Sequence, residues 1–126
     1  NNRLDLFAEM RLASLLAKVT QADATALPAA TVLRMATLGG ARAVGLDDRI
    51  GSLVPGKDAD VVAVDFSSVA LAPCYDPVSH LVHAAGREHV TDVWIEGERL
   101  VDSGHLVRLD SAAITARAAL WRDRIA

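Results

Sequence analysis

The stretch IGSLVPGKDADVVAVD, residues 50–65, decides the fold of this chain. Gly51, Pro55 and Gly56 indicate a turn-rich connection, because glycine permits positive φ and proline fixes φ near a turn value. Residues 59–64 then form a short apolar run rich in valine, which predicts a buried strand. Since the run shows no alternation of polar and apolar residues, we expect both of its faces to be covered.

The composition excludes several classes of protein. With 13 basic and 16 acidic side chains the net charge is -3, so the clustered basic surface that binds nucleic acid is not expected. No apolar run has the roughly 18–20 residues that a membrane span needs, and no signal peptide begins the chain. The single cysteine, Cys74, cannot form a disulfide within the chain and fits a reducing compartment, so we expect a cytoplasmic protein.

Two helices are predicted before the central stretch. Asn2 and Asp5 are both suitable caps for a helix that runs to about Val19. This helix is apolar on both sides of its polar face, so it needs more packing partners than a small domain supplies. A second helix is predicted over residues 28–38, where we expect Gly39-Gly40 to break it.

The second half of the chain mixes helices and strands. Asp76 is a suitable cap for a helix near residues 77–85, with proline at its first position. Residues 90–101 predict a hairpin around a glycine-containing turn. Because an isolated hairpin is marginal, we expect it to pair with the strand at 59–64. A final helix is predicted after Asp110 or Ser111, either of which is a suitable cap, with an apolar stripe of Ile114, Ala118, Trp121 and Ile125.

Three residues near the third helix could bind a metal or react. His80 and His83 lie three positions apart, so they share one region of the helix surface. A zinc site needs three or four ligands, and no compact motif joins the pair to the nearby candidates Cys74, Asp76 and His89. We favour the alternative in which one histidine packs and the other hydrogen-bonds a carbonyl, with a subunit contact also open. Cys74 becomes a reactive thiol only in an electropositive setting.

Lys57 has two interpretations. A buried lysine with a lowered pKa can act as a base or form a Schiff base. Here Asp58 and Asp60 flank it, so we favour a structural ion pair.

Three segments resemble one known family. The pattern IGSLxxGKxADVV at residues 50–62 is similar to the turn-and-strand signature of the amidohydrolase superfamily. NNRLDLFAEMRLA, residues 1–13, resembles the segment after the last metal ligand in the 5-methylthioadenosine/S-adenosylhomocysteine deaminases and related chlorohydrolases. VxxVWIxGExLVxxG, residues 90–104, resembles the closing hairpin of the family's small β-domain.

The resemblance implies an α/β fold, as the C-terminal fragment of a metal-dependent (β/α)8-barrel amidohydrolase. Residues 1–48 would then be the terminal helices of the barrel. Residues 49–109 would be part of the flanking composite β-sandwich domain, with an inserted helix near 77–85, and residues 110–126 would be a C-terminal helix.

The resemblance also implies a zinc-dependent hydrolase that deaminates S-adenosylhomocysteine, methylthioadenosine or adenosine and releases ammonia. The family holds its metal with a His-x-His pair, two further histidines and an aspartate, and uses a glutamate as proton shuttle. None of these motifs occurs here, so the chain alone should have no catalytic residue and no metal ligand. Zinc would be bound by residues upstream. Asn2 is the one candidate for substrate binding, unless it only caps the helix.

The partners implied are the missing N-terminal barrel portion, a purine nucleoside and further copies in a homo-oligomer. Within the superfamily, a triazine or guanine deaminase or a chlorohydrolase is an alternative. A noncatalytic α+β interaction module is the alternative from another class. Upstream sequence containing His-x-His, two histidines and an aspartate would support the enzyme.

Overall fold

The computed structural model describes residues 3–125, which form a helical layer and a small sheet. The helices are α1 (Leu6–Gln21), α2 (Ala29–Arg34), α3 (Gly40–Ala43), α4 (Pro77–His83) and α5 (Ser111–Ile125), with a π-helical turn at Met35–Gly39 and 3-10 turns at Val69–Leu71 and Arg87–His89. The strands are β1 (Val61–Val64), β2 (Val90–Ile95), β3 (Glu98–Asp102) and β4 (His105–Leu106). Across this range, every helix is too short or too polar to cross a membrane.

Helix α1 begins at a side-chain cap and ends in a left-handed turn. The backbone N–H of Ala8 donates to Asp5 Oδ1 at 3.1 Å, so Asp5 is the cap. Ala22 ends the helix with φ 50°, and its N–H donates to carbonyls of the last turn. The cap was one of the two predicted, and the helix extends two residues beyond the predicted end at Val19.

The prediction that Gly39-Gly40 breaks the second helix is wrong. Gly39 and Gly40 have helical φ values of -65° and -61°, and the chain continues through the π-helical turn into α3. A Cβ on Gly39 would lie 3.3 Å from the carbonyl oxygen of Arg34. Glycine therefore fits the widened turn here, and tertiary packing outweighs its low helix propensity.

The hydrophobic core lies among α1, α2 and α4. Its centre is Met10, Val32 and Val82, which are 7%, 2% and 0% exposed. Ser14, fully buried on the same face of α1, donates to the carbonyl of Leu27 at 3.1 Å, so its burial leaves no unpaired hydroxyl. Most of the side chains packed around this centre are aliphatic, with Phe7 as the aromatic member.

The four strands form one antiparallel sheet in the order β1-β2-β3-β4. Val62 lies opposite Val93, so the predicted pairing of the hairpin with the earlier strand is confirmed. The predicted strand at 59–64 is shortened to 61–64, because Ala59 and Asp60 hold the hairpin turn instead: their oxygens accept the N–H groups of Gly97 and Glu96. β4 was not predicted.

Both later helices begin at aspartate caps, of which Asp76 was predicted and Asp110 was one of two candidates. Asp76 Oδ1 accepts two N–H groups of the first turn of α4, at 2.9 and 3.3 Å, and proline holds the first position. Asp110 Oδ1 accepts two N–H groups of α5 in the same way, at 2.9 and 3.1 Å. All α5 side chains that the structure describes are exposed. The apolar stripe of this helix is therefore not packed against the other described residues.

Candidate functional site

The histidines and the cysteine predicted from the sequence do not form a metal site. His80 Nε2 lies 2.8 Å from the carbonyl oxygen of Leu71, and its ring packs against Phe66 with centroids 5.9 Å apart. This confirms that one histidine of the His80/His83 pair hydrogen-bonds a carbonyl. Cys74 is exposed. Between residues 3 and 125, no three His, Cys, Asp or Glu side chains converge on a position that could hold a metal ion.

Asn2, the candidate substrate-binding residue, lies outside the described residues. The described residues that follow it in the sequence lead into the α1 cap. Asp5 is 7% exposed, and its carboxylate lies 3.5 Å from Arg3 Nε. The entry to α1 is thus fixed by a hydrogen bond and an ion pair.

The ion pair predicted for Lys57 is wrong. Lys57 Nζ donates to the carbonyl oxygens of Asp47 and Ile50, the latter at 3.1 Å. Asp58 pairs instead with Arg49, whose Nη2 lies 2.7 Å from Oδ2. Sequence spacing does not reveal these carbonyl acceptors, because the fold of the turn brings them to Lys57. The two hydrogen bonds give Lys57 a structural role, in which it holds the loop together.

The β2–β3 hairpin is held by a cluster of charges. The Arg99 guanidinium hydrogen-bonds the Asp92 carboxylate and lies 2.8 Å from Asp102 Oδ1. The hydrogen bonds that the Asp92 carboxylate accepts, first the one from Arg99 and then the one from the Thr91 side chain, lower the pKa of Asp92 below its ordinary value. The Ser103 N–H adds a further bond to Asp92 at 3.3 Å. The cluster acts as a structural tie, since both carboxylates are paired with Arg99.

An apolar groove of about 1050 Å³ lies between the helical layer and β1. Aliphatic side chains dominate its walls, although several are open to solvent: Leu53 is 74% exposed, Leu6 56% and Val62 55%. The expectation that both faces of β1 are covered is therefore wrong for these residues by themselves.

Gly51 fixes one wall of this groove. Its φ is +84°, and a Cβ there would lie 2.7 Å from the Cβ of Ala41, 3.0 Å from the Cα of Leu38 and 3.2 Å from the carbonyl oxygen of Thr37. Only glycine allows the loop to approach the π-helical turn so closely. The sequence identified Gly51 as a turn residue, but not this contact.

A second bare surface covers the outer face of α1. Leu12, Leu15, Leu16 and Val19 recur at helical spacing and are 50%, 49%, 53% and 78% exposed. The opposite face, which carries Met10, packs into the core. The two-sided apolar character predicted for this helix is thus confirmed, and within residues 3–125 one side is left bare.

The groove was missed as a site from the sequence. Its signal was present in the absence of alternation in residues 59–64, which pointed to two buried faces. Which face remained open depended on the sheet order and on the position of the helices, and local patterns do not fix these.

Comparison with known proteins defines the class. The chain belongs to the amidohydrolase family, whose model matches residues 1–100. The 5-methylthioadenosine/S-adenosylhomocysteine deaminase of Teredinibacter turnerae is 46% identical over 125 residues, which are 99% of this chain and 28% of that protein. The chain therefore spans little more than a quarter of the length of this curated relative.

Two solved structures extend the comparison. A zinc-bound adenosine deaminase from Xanthomonas campestris matches 94% of this chain with a TM-score of 0.92 and 54% identity, and the match covers 27% of that chain. An atrazine chlorohydrolase from Arthrobacter aurescens, also with zinc, matches 90% of this chain with a TM-score of 0.83 and 28% identity, covering 25% of that chain. The fold is thus that of a segment of the amidohydrolase architecture.

Proposed function

We propose that these residues are the supporting C-terminal part of a zinc-dependent hydrolase that deaminates an adenine-type nucleoside, with release of ammonia. The observation that carries the proposal is the 46% identity to a deaminase over nearly the whole chain, combined with coverage of only 28% of that protein. Among the candidate substrates are S-adenosylhomocysteine, methylthioadenosine and adenosine.

The proposed division of labour follows from the described residues. They do not fit a zinc ion, because no suitable trio of ligand side chains converges between Arg3 and Ile125. We therefore assign zinc, the proton shuttle and the reacting water to residues outside this chain. Zinc itself is inferred from the zinc-bound structures to which the chain is similar.

Within this proposal, residues 1–48 are the terminal helices of the barrel, residues 49–109 belong to the composite β-domain, and residues 110–126 are a C-terminal helix. The bare apolar face of α1 supports the first assignment, because a helix that is apolar on opposite sides packs between two layers. Asn2 remains a proposed substrate contact. Homo-oligomerisation and a cytoplasmic location also remain predictions.

A chlorohydrolase is the second candidate, favoured by the similarity to the atrazine enzyme. We rank it lower, because 28% identity to that enzyme compares with 54% to the adenosine deaminase. The hypothesis of a noncatalytic interaction module does not explain the 46% sequence identity to a deaminase over nearly the whole chain.

A chimera tests the proposal. The matching segment of the Teredinibacter turnerae deaminase is replaced by these 126 residues. Ammonia release is then measured with 5-methylthioadenosine, S-adenosylhomocysteine, adenosine and atrazine. We expect turnover of a nucleoside, whereas the relative with the segment deleted should be inactive. A folded chimera that turns over none of the nucleosides would refute the proposal.

A further inference from the structure

His89 accepts a hydrogen bond that only a neutral imidazole can accept. Its Nδ1 atom lies 3.0 Å from the backbone N of Gly86, whose N–H donates. A ring nitrogen accepts through a lone pair, whereas in the imidazolium both ring nitrogens carry a proton and only donate. Histidine is also the side chain whose charge ordinarily changes between about pH 5 and 8. The hydrogen bond from Gly86 therefore depends on whether this ring has bound a second proton.

The same ring nitrogen has a second partner within reach. His89 Nδ1 lies 3.3 Å from the carbonyl oxygen of Gly86, which can only accept. A protonated ring can donate to this oxygen from nearly its present position, while the N–H of Gly86 loses its acceptor. The backbone of Gly86 thus offers a different hydrogen bond to each protonation state of His89.

These bonds lie where the helical layer joins the sheet. The 3-10 turn at Arg87–His89, preceded by Gly86, links α4 to β2. The His89 N–H donates back to the Gly86 carbonyl at 3.0 Å, and the His89 carbonyl accepts the N–H of Asp65, just after β1, at 2.9 Å. The side chain of His89 is 16% exposed, so its ring is mostly shielded from water. A change at this ring therefore acts on the connection between α4 and the sheet.

His80 does not have this property. Its Nε2 lies 2.8 Å from the carbonyl oxygen of Leu71, so this nitrogen carries a proton in the neutral and in the charged ring alike. Protonation of His80 leaves that hydrogen bond in place. The dependence on the bound proton is thus particular to the acceptor role of His89.

Charged groups from three parts of the fold lie around the turn. Glu88, in the turn itself, places Oε1 3.8 Å from His89 Nδ1, but its side chain is 71% exposed and the attraction is therefore weak. The Asp65 carboxylate is close enough to interact electrostatically with a charged His89. From α1, Arg11 Nη2 donates to the carbonyl oxygen of Ala85 at 2.6 Å. A charged His89 thus has two carboxylates as counter-charges, opposed by one guanidinium.

We propose that the segment Gly86–His89 is a pH-sensitive connection between the helical layer and the sheet. With a neutral His89, the ring closes the turn by accepting the Gly86 N–H. When the ring takes a proton from solvent, that hydrogen bond breaks, Nδ1–H donates to the Gly86 carbonyl, and the Gly86 N–H is released. The proposal goes beyond the proposed hydrolase and does not depend on its substrate or metal.

Nuclear magnetic resonance of the isotope-labelled 126-residue chain, titrated from about pH 8 to 5, tests the proposal. We expect the Gly86 amide signal to move with the same midpoint as the ring of His89, rather than with the rings of His80, His83 or His105. After correction for the intrinsic effect of pH, the Gly86 amide should exchange with solvent about fivefold faster when His89 is charged, because it has lost one hydrogen bond.

His89→Gln is the diagnostic variant. In a capping box, a glutamine side chain at this position reaches back to the N–H at the start of the turn, and it does not titrate. The Gly86 amide should then stay protected across the whole pH range, without the shift of its signal. His105→Gln is the matched control, because His105 is exposed in β4 and its loss should leave the full response of Gly86.

Three results would overturn the proposal. The Gly86 amide could fail to respond while His89 titrates, the His89 ring could stay neutral throughout the range, or the response could persist in His89→Gln. If His89→Gln does not fold, the comparison of midpoints in the unsubstituted chain still decides. If the 126-residue chain does not fold by itself, the chimera labelled at glycine and histidine provides the same measurement, with the same results for and against.

Discussion

Replacing Gly51 by alanine should destabilise the chain more than the same change at Gly45, Gly56 or Gly104, where an added Cβ would have no atom within 4 Å. A left-handed φ costs a non-glycine residue about 1 kcal/mol. The added Cβ also meets Ala41 Cβ at 2.7 Å and Leu38 Cα at 3.0 Å. Overpacking of this kind costs about 1–3 kcal/mol more, because backbone must move to relieve it. The total for Gly51→Ala is then about 2–4 kcal/mol.

Gly56→Ala is the matched control. Gly56 has φ +93°, and a Cβ there would have no atom within 4 Å, so only the conformational cost of about 1 kcal/mol applies. At about 4 °C per kcal/mol for a chain of this size, Gly51→Ala should lower the melting temperature by about 8–16 °C and Gly56→Ala by about 4 °C.

The assay is thermal and urea unfolding of the 126-residue chain, followed by circular dichroism and by tryptophan fluorescence. Coincident transitions would justify a two-state free energy of unfolding. The difference between the two variants isolates the contact of the loop with the π-helical turn. Equal losses of stability in both variants would refute the reasoning, because the close approach at Gly51 would then carry no energy.

Three further predictions concern a cap, a charge and a surface. Asp76→Ala removes the acceptor for two N–H groups of α4, and should lower the free energy of urea unfolding by about 1 kcal/mol, with Asp76→Asn costing less. A smaller loss for alanine than for asparagine would contradict the cap. Because Arg99 lowers the folded-state pKa of Asp92, the stability that this carboxylate adds is present above its unfolded pKa of about 3.9 and is lost as the pH falls through the lower folded value. Asp92→Asn should flatten the stability profile in that acid window, and an unchanged profile would count against the tie. Leu16→Gln, on the bare face of α1, should change the stability of this chain by less than about 0.5 kcal/mol but reduce the yield of folded chimera, whereas a large loss in the chain alone would show that the face is already packed.

The elements were predictable where local chemistry decides them. Asp5, Asp76 and Asp110 cap helices as their side chains require, and the apolar residues around the glycine turn at 97 form the predicted hairpin. Each of these features depends on residues that lie only a few positions apart in the sequence.

The rest depends on contacts between distant segments. Gly39-Gly40 stays helical because the packed turn outweighs glycine's low propensity. Lys57 donates hydrogen bonds to carbonyl oxygens seven and ten residues earlier in the sequence and does not pair with the neighbouring aspartates. The groove forms only when α1 and β1 come together, so no window of the sequence contains it.

The central claim is that this chain supports a metal centre that lies outside it. Zinc content by elemental analysis, measured with ammonia release from 5-methylthioadenosine, tests this most directly on the chain alone and on the chimera. The account predicts no bound zinc and no ammonia from the chain alone, with stoichiometric zinc and turnover in the chimera. Stoichiometric zinc in the chain alone, lost on replacing His80, His83 or Cys74, would contradict it.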